Sequence, residues 1–222
     1  MPARLRPTAS YAADAILVGD PGRALLLAQE LLEQPRMSNH ARGLWGYAGQ
    51  TPAGQPLSIQ STGMGGPSAA LVLGDLAELG VRRGVRVGTC SGLEDGPELG
   101  ELVVVTEAVA GGGSASALGV GAGESARPDT DLTERLEEAI GGGRSMPVSS
   151  FDAHPRGFRG VARTKVGDMQ TASLLAAAGL LGVAAGALLI VAEAASGKLL
   201  ELEALAEAER RAGKAAVGAL ST

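Results

Sequence analysis

The chain has 222 residues, enough for one compact α/β domain, and we expect a single domain over residues 1–222. Its net charge of −5, with no dense basic run, argues against nucleic acid as a partner. The single cysteine, Cys90, excludes an intramolecular disulfide framework, and the N-terminus lacks a signal-peptide pattern, so we expect a cytoplasmic protein. The longest apolar stretch, 171–195, is interrupted by glycines and carries Glu193, which indicates a buried helix and strand and no membrane span.

The first predicted unit is a strand, a polar turn and a helix. Residues 14–18 (DAILV) form a short apolar run that predicts a strand. Asp20 suits a helix N-cap and Pro21 suits a first helical turn, so we expect a helix over 24–33.

The rest of the chain continues this alternation. We expect strands over 56–61, 85–88, 102–109 and 187–192, helices over 68–79, 130–140, 171–181 and 199–220, and a surface loop over 110–127. Continuous apolar strands alternating with helices predict an α/β fold, in which a mixed, mostly parallel sheet is flanked by helices on both faces.

Gly-rich turns are predicted at the ends of three of the strands, at 19–23, 63–66 and 86–89. Ligands bind beyond the carboxyl ends of the strands in open α/β sheets. Glycines let backbone N–H groups approach an oxyanion, and the guanidinium groups of Arg23 and Arg86 match phosphate geometry. One such turn is weak support, but the three together predict an anion site.

Five motifs extend this interpretation: ILVGDPGRA, SNHARGLWGYAG, TGMGGPS, RVGTCSG and VGDMQTA, in this order. The set resembles the nucleoside phosphorylase superfamily and is most similar to its bacterial hexameric purine branch. The resemblance implies a three-layer fold and reversible phosphorolysis of a purine nucleoside to a free base and a pentose 1-phosphate. Phosphate is then a co-substrate. We expect no metal and no organic cofactor, because the sequence has no His/Cys/Asp cluster with ligand spacing. The resemblance also implies a homo-oligomer, with a dimer as the minimal unit and a hexamer as the expected assembly.

The resemblance implies a complete phosphate site. Gly19 and Arg23 would bind phosphate from the first turn, and Arg86 and Thr89 from the third. Arg42 resembles an arginine that family members donate from a neighbouring subunit.

On the ribose side, Met64 and Met169 match two methionines that lie against the sugar. Family members follow the second with a glutamate that accepts hydrogen bonds from the ribose hydroxyls, whereas this chain has Gln170. Exchanging a charged acceptor for a neutral one costs about 1 kcal/mol, roughly fivefold in affinity. The family's N-terminal histidine has no counterpart here.

The base side departs further from the family. The purine branch has Ser-Asp at the end of a late strand, where the aspartate protonates the purine; this chain has Ala192-Glu193. Glu193 is then the candidate acid and Arg210 its assistant. His154 is the candidate for stacking on the base, and Asp168 takes a position that often carries glutamate.

Three functions remain open. Phosphorolysis is the leading hypothesis. A relative that binds nucleoside or phosphate without turnover is the second, because the ribose and base positions are altered. A nucleosidase that uses water is the third, although hydrolases of this superfamily do not need the full set of arginines.

Overall fold

A computed structural model describes residues 3–141, 143–153, 160–161 and 163–221. The strands are β1 (Asp14–Val18), β2 (Glu33–Asn39), β3 (Gly46–Gln50), β4 (Pro56–Ser61), β5 (Arg83–Gly92), β6 (Leu102–Ala110), β7 (Ser125–Ala126), β8 (Arg144–Ser150), β9 (Val166–Asp168) and β10 (Ala184–Glu193). The helices are α1 (Pro21–Leu31), α2 (Gly66–Glu78), α3 (Ser114–Ala117), α4 (Thr130–Ala139), α5 (Thr171–Leu181) and α6 (Leu202–Leu220), with a 3₁₀ turn at Ala41–Gly43.

All these strands belong to one sheet. β10 pairs with both β5 and β6, so β5, β9, β8, β6 and β10 form a closed ring, and β1, β4, β3 and β2 extend from β5. β1 is parallel to β4 and β5, and β5 is parallel to β10, so these four strands end at the same edge of the sheet. The predicted α/β class with a mixed sheet is confirmed.

Two aliphatic cores lie on the two faces of the sheet. Helices α2, α3 and α5 cover one face, and α1, α4 and α6 cover the other. The largest fully buried side chains are all leucine or isoleucine, as the low aromatic content of the chain requires. In the part of the chain that the structure describes, every helix is too short or too polar to cross a bilayer.

The predicted boundaries differ from the observed ones mainly at polar segments. α1 begins at Pro21, with Asp20 as its confirmed N-cap. β2, β3, β8 and β9 were not predicted. β2 is exposed over its first five residues, and β9 is only three residues long, so neither carries a strong apolar pattern.

The prediction of a surface loop over 110–127 is wrong in part. α3 and β7 lie within this interval, and Ala115 and Ala126 are buried in the core. Small residues gave no periodic signal there, because alanine fits tight packing and exposed positions equally well.

Candidate functional site

Two of the three predicted Gly-rich turns, 19–23 and 63–66, meet at the carboxyl edge of the sheet. The third, 86–89, was wrongly predicted as a turn: it lies within β5, which continues to Gly92 because it pairs there with β9 and β10. A Cβ atom built on Gly19 would lie 3.5 Å from the backbone oxygen of Gly63 and 3.5 Å from Oε1 of Gln170. These residues follow β1, β4 and β9. Their close approach places the predicted phosphate and ribose residues around a common point.

Arg86 lies at the centre of this edge and is buried. Its guanidinium donates from Nε to Thr171 Oγ1 (3.1 Å), from Nη1 to Gln170 Oε1 (2.7 Å) and from Nη2 to Asp168 Oδ2 (2.9 Å). A Cβ on Gly88 would lie 2.5 Å from Cζ of Arg86. The guanidinium therefore packs against the backbone of its own strand, and a side chain at residue 88 would displace it from this position.

Asp168 holds Arg86 and starts α5. Besides the bond from Arg86, its carboxylate accepts hydrogen bonds from the backbone N–H groups of Gln170 and Thr171 and from Thr171 Oγ1 (2.6 Å). A carboxylate is favourable at a helix N-terminus. Asp168 was predicted on the base side, but the contacts it makes belong to Arg86 and the first turn of α5.

Gln170 joins β5 to the turn that follows β4. Its Oε1 accepts from Arg86, and its Nε2 donates to the backbone oxygen of Gly63 and, at 3.4 Å, to that of Gly65. A glutamate has no N–H group with which to bond those oxygens when it is ionised. The glutamine at this position therefore has a structural role, to donate hydrogen bonds to the turn after β4. The sequence did not reveal this role.

Arg23 is the second buried arginine of the site. Asp20 accepts from the backbone N–H of Arg23 (2.8 Å), which fixes the first turn of α1. The Nε of Arg23 lies 2.7 Å from Oε1 of Glu209 on α6, and Nη1 donates to the backbone oxygen of Val87 at 3.4 Å. Val87 follows Arg86 on β5, so the guanidinium of Arg23 lies beside the residue next to the second predicted phosphate arginine.

The remaining phosphate and ribose candidates are more accessible. Thr89 is half-buried on β5, and Arg42 is exposed in the 3₁₀ turn with a φ of 60°. The side chain of Met64 is 83% exposed, and Met169 is half-buried between Asp168 and Gln170. Met64 and Met169 therefore have free surface, as contact with a ligand requires.

Glu193 lies at the end of β10 beside β5. Val191 pairs with Cys90 and Glu193 pairs with Ser91, so Ala192 is an extra residue in a β-bulge. Ser91 Oγ donates to Glu193 Oε2 at 3.0 Å. Both side chains are half-buried.

Arg210 is not brought to Glu193. It is half-buried on α6, where Nη1 is 3.3 Å from a carboxylate oxygen of Glu207 and Nε is 3.8 Å from one of Glu30 on α1. These contacts do not place Arg210 where it was predicted to assist the acid. His154, the predicted stacking residue, lies outside the described residues.

The segment that leads to residue 154 is anchored by Asp152. Its carboxylate accepts from the backbone N–H of Ser114 (2.7 Å) and from Ser114 Oγ (2.5 Å), and Ser173 Oγ lies 3.3 Å away. A Cβ on Gly66 would collide with all three side chains. α2, α3 and α5 thus hold this segment over the sheet edge.

Cys90 is buried on β5, the strand that carries Arg86, and it pairs with Val191 of β10. Burial, the largest effect, and the charge of Asp168 raise the pKa of its thiol, so it stays neutral at physiological pH. Cys90 is therefore a packing residue, as predicted.

The N-terminal segment is attached to α2 by Asp75. The carboxylate accepts from the backbone N–H groups of Arg4 (2.6 Å) and Leu5 (2.8 Å) and pairs with Arg4 Nη1 at 3.2 Å. Burial raises the pKa of Asp75, but these donors outweigh burial and hold the pKa below its ordinary value of 3.8.

Sequence reasoning missed Ser91, Thr171 and Glu209 as parts of the site. Thr171 directly follows the Asp168–Gln170 motif, so its hydroxyl was a detectable signal. Ser91 and Glu209 gave none, because their roles depend on which strand and helix lie beside them.

The chain is thus an α/β protein in which glycine turns and two buried arginines lie at the carboxyl edge of the sheet. The model of the phosphorylase superfamily matches residues 14–222, and the chain therefore belongs to that superfamily.

Curated relatives agree with this assignment. The protein named purine nucleoside phosphorylase DeoD-type from Oceanobacillus iheyensis is 38% identical over 94 residues, which cover 41% of this chain and 40% of the relative. Proteins of the same name from Clostridium beijerinckii (36% over 103 residues, 46% and 43%) and Clostridium perfringens (40% over 90 residues, 40% and 38%) are similar too. The chain thus spans about two fifths of the length of the relatives it matches.

Proposed function

We propose that the protein catalyses reversible phosphorolysis of a purine nucleoside, giving a free base and a pentose 1-phosphate. The observation that carries this proposal is the pair of buried arginines, Arg23 and Arg86, at a glycine-lined sheet edge. Membership of the phosphorylase superfamily and the names of the relatives support it. The reaction uses phosphate as co-substrate and needs neither a metal nor an organic cofactor.

Both arginines keep donors for phosphate although each is paired with a carboxylate. A guanidinium has five N–H donors. Arg86 uses three of them, on Thr171, Gln170 and Asp168, which leaves two. The internal partners fix the direction of the guanidinium, so that less conformational entropy is lost when phosphate binds.

In the proposed reaction Arg23, Arg86 and Thr89, with Arg42 from a neighbouring subunit, hold phosphate against the anomeric carbon of the sugar. The glycosidic bond breaks through an oxocarbenium-like state, whose positive charge the phosphate dianion offsets. Glu193 gives a proton to the purine. A phosphate oxygen then forms the new bond to the anomeric carbon.

Sugar recognition is the weakest part of the proposed site. Met64 and Met169 would pack against the sugar, and Gln170 would accept from its hydroxyls. The amide of Gln170 already bonds Arg86 and Gly63, so little of its capacity remains. We expect a KM for nucleoside that is high relative to that of a glutamate-containing relative.

A relative that binds phosphate or nucleoside without turnover is the second candidate. The observation that favours it is the placement of Arg210, which pairs with Glu30 and Glu207 and leaves Glu193 without the predicted assistant. Binding needs the arginines alone, whereas turnover needs the acid as well.

Base release from a panel of purine ribo- and deoxyribonucleosides, with and without phosphate, tests these functions. Phosphate-dependent release supports phosphorolysis, and release at equal rates without phosphate identifies a nucleosidase. Thermal stabilisation by phosphate or nucleoside without release identifies the binding protein. Arg86→Ala should remove the dependence on phosphate, whereas Arg82→Ala, which alters an exposed residue at the start of the same strand region, should retain it.

A further inference from the structure

The β-bulge in β10 determines which face of the sheet carries Glu193. Side chains alternate between the two faces of a strand, so residue 193 of a regular strand would share the face of Val191. The extra residue, Ala192, shifts the register, and Glu193 pairs with Ser91 instead. Bulges next to active sites commonly redirect a side chain in this way.

The serine that meets Glu193 comes from a different strand. Ser91 lies on β5, and its hydroxyl donates to Oε2 of Glu193 at 3.0 Å. Among the residues that the structure describes, the other oxygen, Oε1, has no hydrogen-bond partner. One oxygen of the carboxyl group is thus held, and the other is available to a ligand.

Ser91 also connects the acid to the sugar motif. It pairs with Gly167 of β9, one residue before Asp168, so β5 lies between the strand that ends at Glu193 and the strand that leads to Met169. Residue 192, which precedes Glu193 on β10, is alanine and has no hydroxyl. The side-chain donor to Glu193 therefore comes from β5.

We propose that Ser91 is a positioning residue for Glu193. This inference rests on the proposed function. The Ser91 hydroxyl donates to the carbonyl oxygen of the protonated carboxyl group and fixes its plane, while the opposite oxygen carries the proton. That proton moves to a purine ring nitrogen as the C–N glycosidic bond breaks. The bond's electron pair goes to the base, a phosphate oxygen bonds the anomeric carbon, and Glu193 is left as a carboxylate.

A substrate whose leaving group needs no proton isolates this role. A 7-methylated purine nucleoside carries a positive charge on the ring and departs as a neutral base, so general-acid catalysis adds nothing. The test compares the fastest of adenosine, inosine and guanosine with its 7-methyl counterpart, by phosphate-dependent base release. Ser91→Ala should lower kcat/KM at least about 10-fold for the unmethylated nucleoside and less than about 2-fold for the methylated one.

Three further variants make the test specific. Ser91→Thr keeps the hydroxyl and should restore most of the lost activity. Glu193→Gln should show the same dependence on substrate with a larger loss, and Ser91→Ala should cause little additional loss in that background. Ser116→Ala, which alters an exposed serine, is the matched control.

Each outcome decides one of two claims. Equal losses on both substrates, or no loss in Ser91→Ala, would overturn the positioning role and leave phosphorolysis intact. If the unaltered protein releases base from neither substrate in the presence of phosphate, the proposed function fails, and the role of Ser91 fails with it.

Discussion

At the scale of single residues, the site depends on buried charges that the chain itself compensates. Arg86 is buried, and Asp168 is the carboxylate that offsets its charge. A buried ion pair adds little net stability, but removing one partner is costly because the other charge stays buried and unpaired.

Asp168→Ala should therefore destabilise the protein by about 3–5 kcal/mol. Urea unfolding followed by circular dichroism measures the change. Asp95→Asn, at an aspartate whose side chain is 88% exposed and whose φ of 54° asparagine also tolerates, should change the stability by less than about 0.5 kcal/mol. A loss below about 1 kcal/mol for Asp168→Ala would mean that Arg86 finds solvent or another partner.

Asp75 gives a prediction with a pH dependence. Its folded pKa lies below the ordinary 3.8, so its stabilising effect is fully present above about pH 4 and is lost as pH falls below that value. Asp75→Asn keeps the shape but removes the charge that the Arg4 and Leu5 N–H groups bind. The variant should be about 2 kcal/mol less stable at pH 7, and the difference should shrink below pH 4.

Urea unfolding at pH 7, 5 and 3.5 measures this difference, with Asp95→Asn as the exposed control. A difference that stays constant across the three pH values would show that packing, and not charge, explains the loss.

The sequence predicted which residues gather at the site better than it predicted what they do there. The motifs correctly brought Gly19, Arg86 and Gln170 to one sheet edge, because each follows or lies in a strand that ends there. They did not predict that Asp168 and Gln170 would bond Arg86. That outcome depends on how β9 and α5 dock, which involves residues more than 80 positions apart in the chain.

At the scale of secondary structure, α6 completes the site from the far end of the chain. The sequence predicted a charged amphipathic helix here. Glu209 of this helix is nevertheless only 8% exposed, and it pairs with Arg23. Helix charges look alike in a sequence, and only the docking of α6 against α1 distinguishes Glu209 from its exposed neighbours.

The strands that escaped prediction share a physical reason. β2, β8 and β9 are short or polar, and they form because neighbouring strands supply hydrogen-bond partners. The bulge at Ala192 has the same origin, since it exists only in the pairing with β5. Strong apolar runs such as β1 and β4 were predicted to the residue.

Glu209→Gln should strengthen phosphate binding. The glutamine amide oxygen still accepts from Nε of Arg23, while the negative charge 2.7 Å from the guanidinium is removed. Removing this charge makes the free energy of phosphate binding more favourable by about 1 kcal/mol, so the phosphate KM should fall roughly 3- to 10-fold. Initial rates at varied phosphate measure it.

Glu207→Gln, two residues away at an exposed position of α6, is the control and should leave the phosphate KM unchanged within about twofold. A higher phosphate KM in Glu209→Gln would show instead that the charge of Glu209 is needed to hold Arg23 in place.

At the scale of the whole molecule, the carboxyl edge of the sheet is built from segments of the entire chain. α1, β5, α5, β10 and α6 each supply a residue, and the closed ring of strands fixes their spacing. Arg42 is the exception. It is exposed, outside this cluster, in a turn whose φ of 60° directs the chain away from regular structure. The proposed function therefore assigns Arg42 to the phosphate of a neighbouring subunit.

Complementation between two variants tests whether Arg42 acts across a subunit interface. Arg42→Ala and Glu193→Gln should each have low activity at limiting phosphate, and each should keep the oligomeric state of the unaltered protein in sedimentation velocity. When the two variants are unfolded and refolded together, some dimers contain one subunit of each. Each such mixed dimer has one site with both residues intact. Activity should then recover to roughly one quarter of the unaltered level, because half of randomly formed dimers are mixed and half of their sites are complete.

Arg36→Ala, at another exposed arginine, controls for general loss of surface charge and should retain full activity. A monomer in solution, or a mixture no more active than its components, would show that Arg42 does not act across a subunit interface.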